Sequence, residues 1–135
     1  MKINRSLLFA ALFPAFFIFS SCEKTEMFKS EKTIKKQLVG TWNRIPIPKT
    51  LPDMNWIFED NGTVYLQQSG NETDTGAYEI KTSLTKVDLK IKNLTRFEDY
   101  NATWQVVLLD NEVLVMANDH SGATGIKELD FQKRN

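Results

Sequence analysis

Cysteine and histidine are almost absent: Cys22 and His120 are the single examples of each. One cysteine excludes an intrachain disulfide, and one of each leaves no Cys/His spacing for zinc. No metal and no cofactor is expected. Glycine is sparse as well. Gly40, Gly62, Gly70, Gly76, Gly122 and Gly125 lie apart, so no glycine-rich loop is available to cradle a phosphate. Neither charge is in surplus, since 17 basic side chains face 17 acidic ones. Without a basic stripe interleaved with aromatics, nucleic acid is excluded as a partner. A polybasic patch for a membrane surface is missing too. The longest apolar run, residues 7–19, has 13 members, short of the roughly 20 needed to cross a bilayer. Paired catalytic groups are also lacking. His120 falls in the turn-rich stretch 118–125, Ser121 has no nucleophile elbow around it, and Glu59 and Glu79 have no neighbouring motif. A positioned partner is what chemistry requires, so the expectation is a protein that is not an enzyme.

What is present begins with a leader. Lys2 and Arg5 precede the apolar run, Pro14 interrupts that run as a helix, and Ser20 and Ser21 follow it. This is the order of a secretory signal, predicted over residues 1–21. Phe19-Ser20-Ser21-Cys22 resembles the bacterial lipoprotein box, in which small residues precede a cysteine that is acylated and becomes the new N-terminus. The resemblance implies lipid attachment, palmitate included, at Cys22; an ordinary cleaved signal beside a stray cysteine is the alternative. One acyl chain anchors marginally and two or more anchor stably. The implied partner is therefore a membrane, reached through residues 22–29 as a solvated tether. Glu23 and Glu26 after the cysteine are compatible with the outer membrane, on its periplasmic or surface face. The processed chain of 114 residues would carry 15 basic and 17 acidic side chains, and its length suits one domain over residues 30–135.

Within that domain the texture changes once. Residues 30–38 read as a short helix, with Ser30 as N-cap, Lys35 and Lys36 late, and Gly40 just beyond. Ile34 and Leu38, four apart, make one narrow apolar edge. From there the period is two. Strands are predicted at 40–46, 54–59, 63–69, 76–82, 85–92, 103–109, 113–118 and 126–133, separated by turn residues. Eight short strands without intervening helices indicate an all-β barrel or sandwich. Around Asp60-Asn61-Gly62, a three-residue loop with Gly62 left-handed pairs Trp56 with Leu66 and Phe58 with Val64. A slip by one residue would instead bury Gln67 beside Trp56. Strand 85–92 alternates cleanly, with Val87, Leu89 and Ile91 inward and Lys86, Asp88, Lys90 and Lys92 outward. The hairpin 103–118 differs. Trp104, Val106 and Leu108 form one face, yet Val107 and Leu109 occupy the other, and residues 113–116 are apolar on both. Its outer side is expected to be covered, by the 30–38 helix or by a second copy or a partner. The triplets at Asn61, Asn71, Asn93 and Asn101 fit the N-x-T pattern; beside a bacterial leader they read as turn chemistry.

Leu38-Val39-Gly40-Thr41-Trp42 opens the β region. An aromatic strand then runs into Asp60-Asn61-Gly62, Gly76-Ala77-Tyr78-Glu79-Ile80 follows, Trp104 begins a later strand, and Leu129-Asp130-Phe131-Gln132-Lys133 closes the set. This ordered series resembles the lipocalins and the smaller bacterial lipocalin-like domains over about residues 34–134. The resemblance implies a small antiparallel up-and-down β-barrel of about eight strands. It also implies a barrel-floor motif, in which Gly40 admits a close chain entry, Trp42 closes one end, and a basic side chain of the last strand packs over it. Lys133 shares parity with Leu129 and Phe131 and suits that role; Arg134 points the other way. Trp56, Phe58, Tyr78 and Trp104 either line a cavity or form the core, because small barrels are commonly filled by their own side chains. Two functions stay open. One is a small hydrophobic or amphipathic ligand held in the barrel. The other is a cell-envelope interaction module with a filled barrel, binding a protein or glycan through loops or the apolar hairpin.

Overall fold

The computed structural model describes residues 29–46, 52–68, 72–118 and 128–135. The leader, Cys22, tether residues 23–28, and His120 with Ser121 lie outside the described residues. Helix α1 (Glu31–Leu38) starts where Ser30 Oγ accepts the Thr33 N–H at 3.3 Å. Glu31 in its first turn and Lys35 and Lys36 in its last complement the helix dipole. Only Ile34 and Leu38 are buried, so eight residues are held by what this edge packs on rather than by propensity.

Eight strands follow among the described residues: β1 (Gly40–Ile45), β2 (Met54–Phe58), β3 (Thr63–Gln68), β4 (Glu72–Thr82), β5 (Val87–Lys92), β6 (Thr103–Leu109), β7 (Val113–Ala117) and β8 (Glu128–Lys133). Each pairs antiparallel with the next, and β8 returns to β1, which closes the barrel. Closure gives every strand a neighbour on both sides. The β2–β3 hairpin has the register that the apolar pattern demands, with Trp56 opposite Leu66 and Phe58 opposite Val64. Gly62 takes φ +87°, and Asn61 Oδ1 accepts the Thr63 N–H at 2.9 Å.

Three features depart from the sequence reading. Strand β4 begins at Glu72 rather than 76, and its first half pairs with β3 while its second half pairs with β5. The polar run 72–75 looks like a turn, but its inward member, Asp74, is supplied with backbone donors by the distant 94–97 loop. Gly76 stands where β4 changes partner, and the chain approaches it closely: a Cβ would sit 2.7 Å from the Lys92 carbonyl oxygen and 2.9 Å from Leu94. The second departure is a bulge in β6, where the register against β7 shifts between Val106 and Leu108. The extra residue reverses parity: Leu109 is buried, whereas Leu108, read as inward, is 40% exposed. The third concerns α1. The helix contacts β4 and β6 and closes the lower end of the barrel, but it does not cover the outer side of β6, where Val107 is 60% exposed.

Candidate functional site

Three places were singled out by chemistry: the barrel floor, the interior and the outer wall. At the floor, Trp42 Nε1 donates to the Leu38 carbonyl oxygen at 2.7 Å, which ties the first strand to the C-terminus of α1. Lys133 Nζ lies 5.0 Å from the centroid of the Trp42 ring and donates to the Gln37 carbonyl oxygen at 3.0 Å. A cation there serves two purposes, resting on an aromatic face and neutralising the carbonyl end of a helix. Gly40 is required by both backbone and space. Its φ is +133°, and a Cβ would stand 3.0 Å from Lys133 Cε. Gly40, Trp42 and Lys133 thus converge on one lock between helix, first strand and last strand.

The interior holds Trp56, Phe58, Tyr78 and Trp104, all buried. Their rings pack on one another and on residues the sequence reading did not single out. Trp56 stands edge-on to Tyr100 at 5.3 Å and to Phe131 at 5.2 Å, and Phe58 edge-on to Tyr78 at 5.2 Å. Such tilted pairs add to the burial of each ring. The polar atoms of these rings are also taken. Trp104 Nε1 donates to the Tyr100 carbonyl oxygen at 3.1 Å, Trp56 Nε1 to Met54 Sδ at 3.3 Å, and the Tyr78 hydroxyl to the Glu59 carbonyl oxygen. Burial, and after it the charge of Asp60, pushes the Tyr78 phenol up to about 12. Trp42, Trp56, Val64, Leu66, Leu89 and Phe131 each have 0% accessible surface, so no water-sized space adjoins them from inside or outside. The barrel is filled at the level of these residues.

Among the described residues two polar side chains, Arg44 and Asp74, are buried in this packed interior and escaped the sequence reading. Arg44 is 4% exposed; its Nη1 donates to the Tyr100 hydroxyl and its Nη2 to the Pro52 carbonyl oxygen at 2.7 Å. It shares parity with Trp42 on β1, and that parity was the available signal. Asp74 anchors the loop between β5 and β6. Its oxygens accept the N–H groups of Thr75 at 2.9 Å, Thr95 at 3.0 Å, Arg96 at 2.7 Å and Phe97 at 2.8 Å. Burial alone would raise its carboxyl, but these four donors outweigh burial and hold it below the usual carboxylate value. The arrangement fixes the 3-10 turn Glu98–Tyr100 and thereby Tyr100 over Trp56.

A concavity opens where the lower end of the barrel meets its outer wall, lined by Val87, Val106 and Leu109 as well as by Val107 and Leu108. A groove of about 810 Å3 runs between the start of α1, the 83–86 turn and the lower half of β6. Ile34 and Leu109 form its floor, and Lys29 and Lys86 lie at its margin. Leu84 is 77% exposed beside it, next to Val107 and Leu108. Large apolar side chains gathered around a concavity mark an interaction surface. Comparison with known protein families, with curated proteins and with solved structures gives no match.

Proposed function

We propose that this protein is a lipid-anchored, non-catalytic binding module of the bacterial cell envelope, with a filled lipocalin-like barrel that docks a partner on its outer wall. The observation that carries this reading is the contrast between the two sides of β6. Trp104 faces a packed interior, while Val107 and Leu108 stand in solvent beside the groove. A ligand needs space and unoccupied polar groups, and the aromatic interior offers neither. The groove fits an apolar segment of a protein partner, whose side chains would remove Leu84, Val107 and Leu108 from water. The leader and Cys22 support attachment to the outer membrane through acyl chains. The tether of residues 22–29 then holds the groove near the membrane, because Lys29 lines it.

Photocrosslinking from position 108 in the full chain, expressed in its envelope, tests the docking face. A defined partner captured from position 108 but not from position 90, and lost with Val107→Lys, supports the reading. Saturable binding of a hydrophobic fluorescent probe that quenches tryptophan emission would instead favour an interior ligand and overturn it. A mass spectrum of the processed chain without acyl groups on Cys22 would remove the anchor.

A further inference from the structure

At one point of the lower end, the inner layer of the barrel is left incompletely covered. Val87 and Val106 face inward and stand opposite each other on β5 and β6. They lie one step below the buried pair Leu89 and Trp104, yet both remain only half-buried. With Ile34 of α1 and Leu109 at the end of β6, they line the inner part of the concavity. Helix α1 supplies two buried side chains to this end of the barrel, Ile34 and Leu38, and its first turn stops at the margin of the opening. Lys29 and Ser30 line that margin, so the polypeptide that precedes the helix sets out from the concavity itself. Lys29 also approaches the turn after β6. Its charge, after the N–H groups of Glu112 and Val113, helps to hold the Asp110 carboxyl below its usual value.

We infer that Met27 and Phe28 of this same chain fill the inner part of the concavity and complete the closure that α1 begins, leaving the rim of Leu84, Val107 and Leu108 to a partner. Phe28 is joined directly to Lys29, so its Cα is held about 3.8 Å from that of a lining residue. Between Cys22 and Lys29 the residues Glu23, Lys24, Thr25 and Glu26 are polar, and only Met27 and Phe28 are apolar. The apolar pair thus stands at the domain end of a hydrophilic tether, next to the one concavity that α1 leaves open beside it. Ile34 is the fourth residue of the helix, the position on which an apolar residue just before an N-cap ordinarily packs. Lys29 holds the place before the Ser30 cap, and the apolar role passes to the next residue out, Phe28. A segment attached this closely is presented at an effective concentration on the order of millimolar, so a modest affinity keeps it docked. Docking removes Val87, Val106 and the Phe28 ring from water in one step. An acyl chain on Cys22 suits the space less well, because it would leave the bilayer to enter, and a second copy would bind without the advantage of attachment. The inference goes beyond the docking of a partner at the rim and stands whether or not that partner binds.

The test is methyl and aromatic NMR of the full processed chain, purified from its envelope in deuterated detergent. Phe28 ring protons should show nuclear Overhauser contacts to the methyl groups of Ile34, Val87 and Val106. Phe28→Ala should shift those methyl resonances and leave Val64 and Leu66, in the middle of the barrel, where they are. A soluble paramagnetic probe should broaden Val87 and Val106 in Phe28→Glu, and should spare them in the parent and in Phe28→Leu, which stays apolar. Val107→Lys, at the rim, should leave the Phe28 contacts in place. Absence of contacts from Phe28 to these methyl groups, or equal broadening in all three chains, overturns the inference. Contacts to the acyl protons of the anchor would assign the space to lipid, and contacts that appear only between differently labelled chains would assign it to a second copy; either result overturns it. Failure of the crosslink from position 108 while the Phe28 contacts are present would overturn the partner at the rim alone.

Discussion

Replacing Asp74 by asparagine preserves the side-chain shape and removes only its charge, which makes it a sensitive probe of how the upper loop is held. In the native chain one carboxylate accepts N–H groups from Thr75, Thr95, Arg96 and Phe97, all within 3.0 Å, and the Thr95 hydroxyl at 3.3 Å. An amide keeps one oxygen for Thr95, Arg96 and Phe97, but turns its NH2 toward the Thr75 N–H and the Thr95 hydroxyl. Hydrogen bonds to a charged group are worth about 1.5–3 kcal/mol and neutral ones about 0.5–1.5. Weakening three by about 1 kcal/mol each and losing one worth about 2 therefore costs about 5 kcal/mol. For a domain near 100 residues this lowers the Tm by about 20 °C. The loss should depend on pH. The native carboxyl titrates below the ordinary aspartate value of 3.8. Its contribution is thus complete at neutral pH and disappears as pH falls through the native value. Thermal unfolding of parent and Asp74→Asn, followed by near-ultraviolet circular dichroism, should show a gap at pH 7 that closes as the pH falls below the ordinary carboxylate range. A Tm within about 3 °C of the parent at pH 7, or a gap undiminished in acid, would refute this account of the loop.

Other perturbations probe the remaining sites. Lys133→Met keeps the stem over Trp42 and removes the cation, so denaturant unfolding should show a loss of about 1–2 kcal/mol from the ring contact and the bond to Gln37. Trp56→Ala should cost about 3–5 kcal/mol and open a void that takes up a hydrophobic dye which the parent ignores; dye uptake by the parent would contradict a filled barrel. The Tyr78 phenol, raised to about 12, should stay protonated in an ultraviolet titration while the unfolded chain ionises near 10. Its stabilisation is present below the unfolded value and lost as pH rises through the native one, and Tyr78→Phe should lack that alkaline component. Val107→Lys, at an exposed position, should change stability by no more than about 0.5 kcal/mol while abolishing association at the groove.

Much of the barrel was legible because alternation is a local signal. Strand β5 reads Val87, Leu89 and Ile91 against Asp88, Lys90 and Lys92, and its pairing follows that pattern. The β2–β3 register could be chosen from four apolar residues and one glutamine, since a slip by one exchanges the two faces. At the floor, parity distinguished Lys133 from Arg134, and Lys133 is the side chain lying over Trp42. The bulge in β6 was hidden. A run of four apolar residues, Val106 to Leu109, satisfies either parity, so the shift is decided by pairing with β7. Asp74 was hidden for another reason. Its partners lie 21 to 23 residues further on, and an aspartate in a polar run looks like a turn until they arrive.

The order of apolar and polar residues by itself determined a set of short strands with one brief helix before them, because period-two burial depends on neighbours in the chain; their closure into a barrel rather than a sandwich was decided by β8 meeting β1. Only the tertiary structure decided what occupies the middle of the barrel. The same aromatic side chains could line a void or fill it, and the outcome depends on how far eight strands stand apart once Trp42, Trp56, Phe131 and Tyr100 compete for one volume. Which side chains share a row of the outer wall is likewise a product of register. Residues as distant as Asn43 and Gln132 become neighbours only when the last strand meets the first.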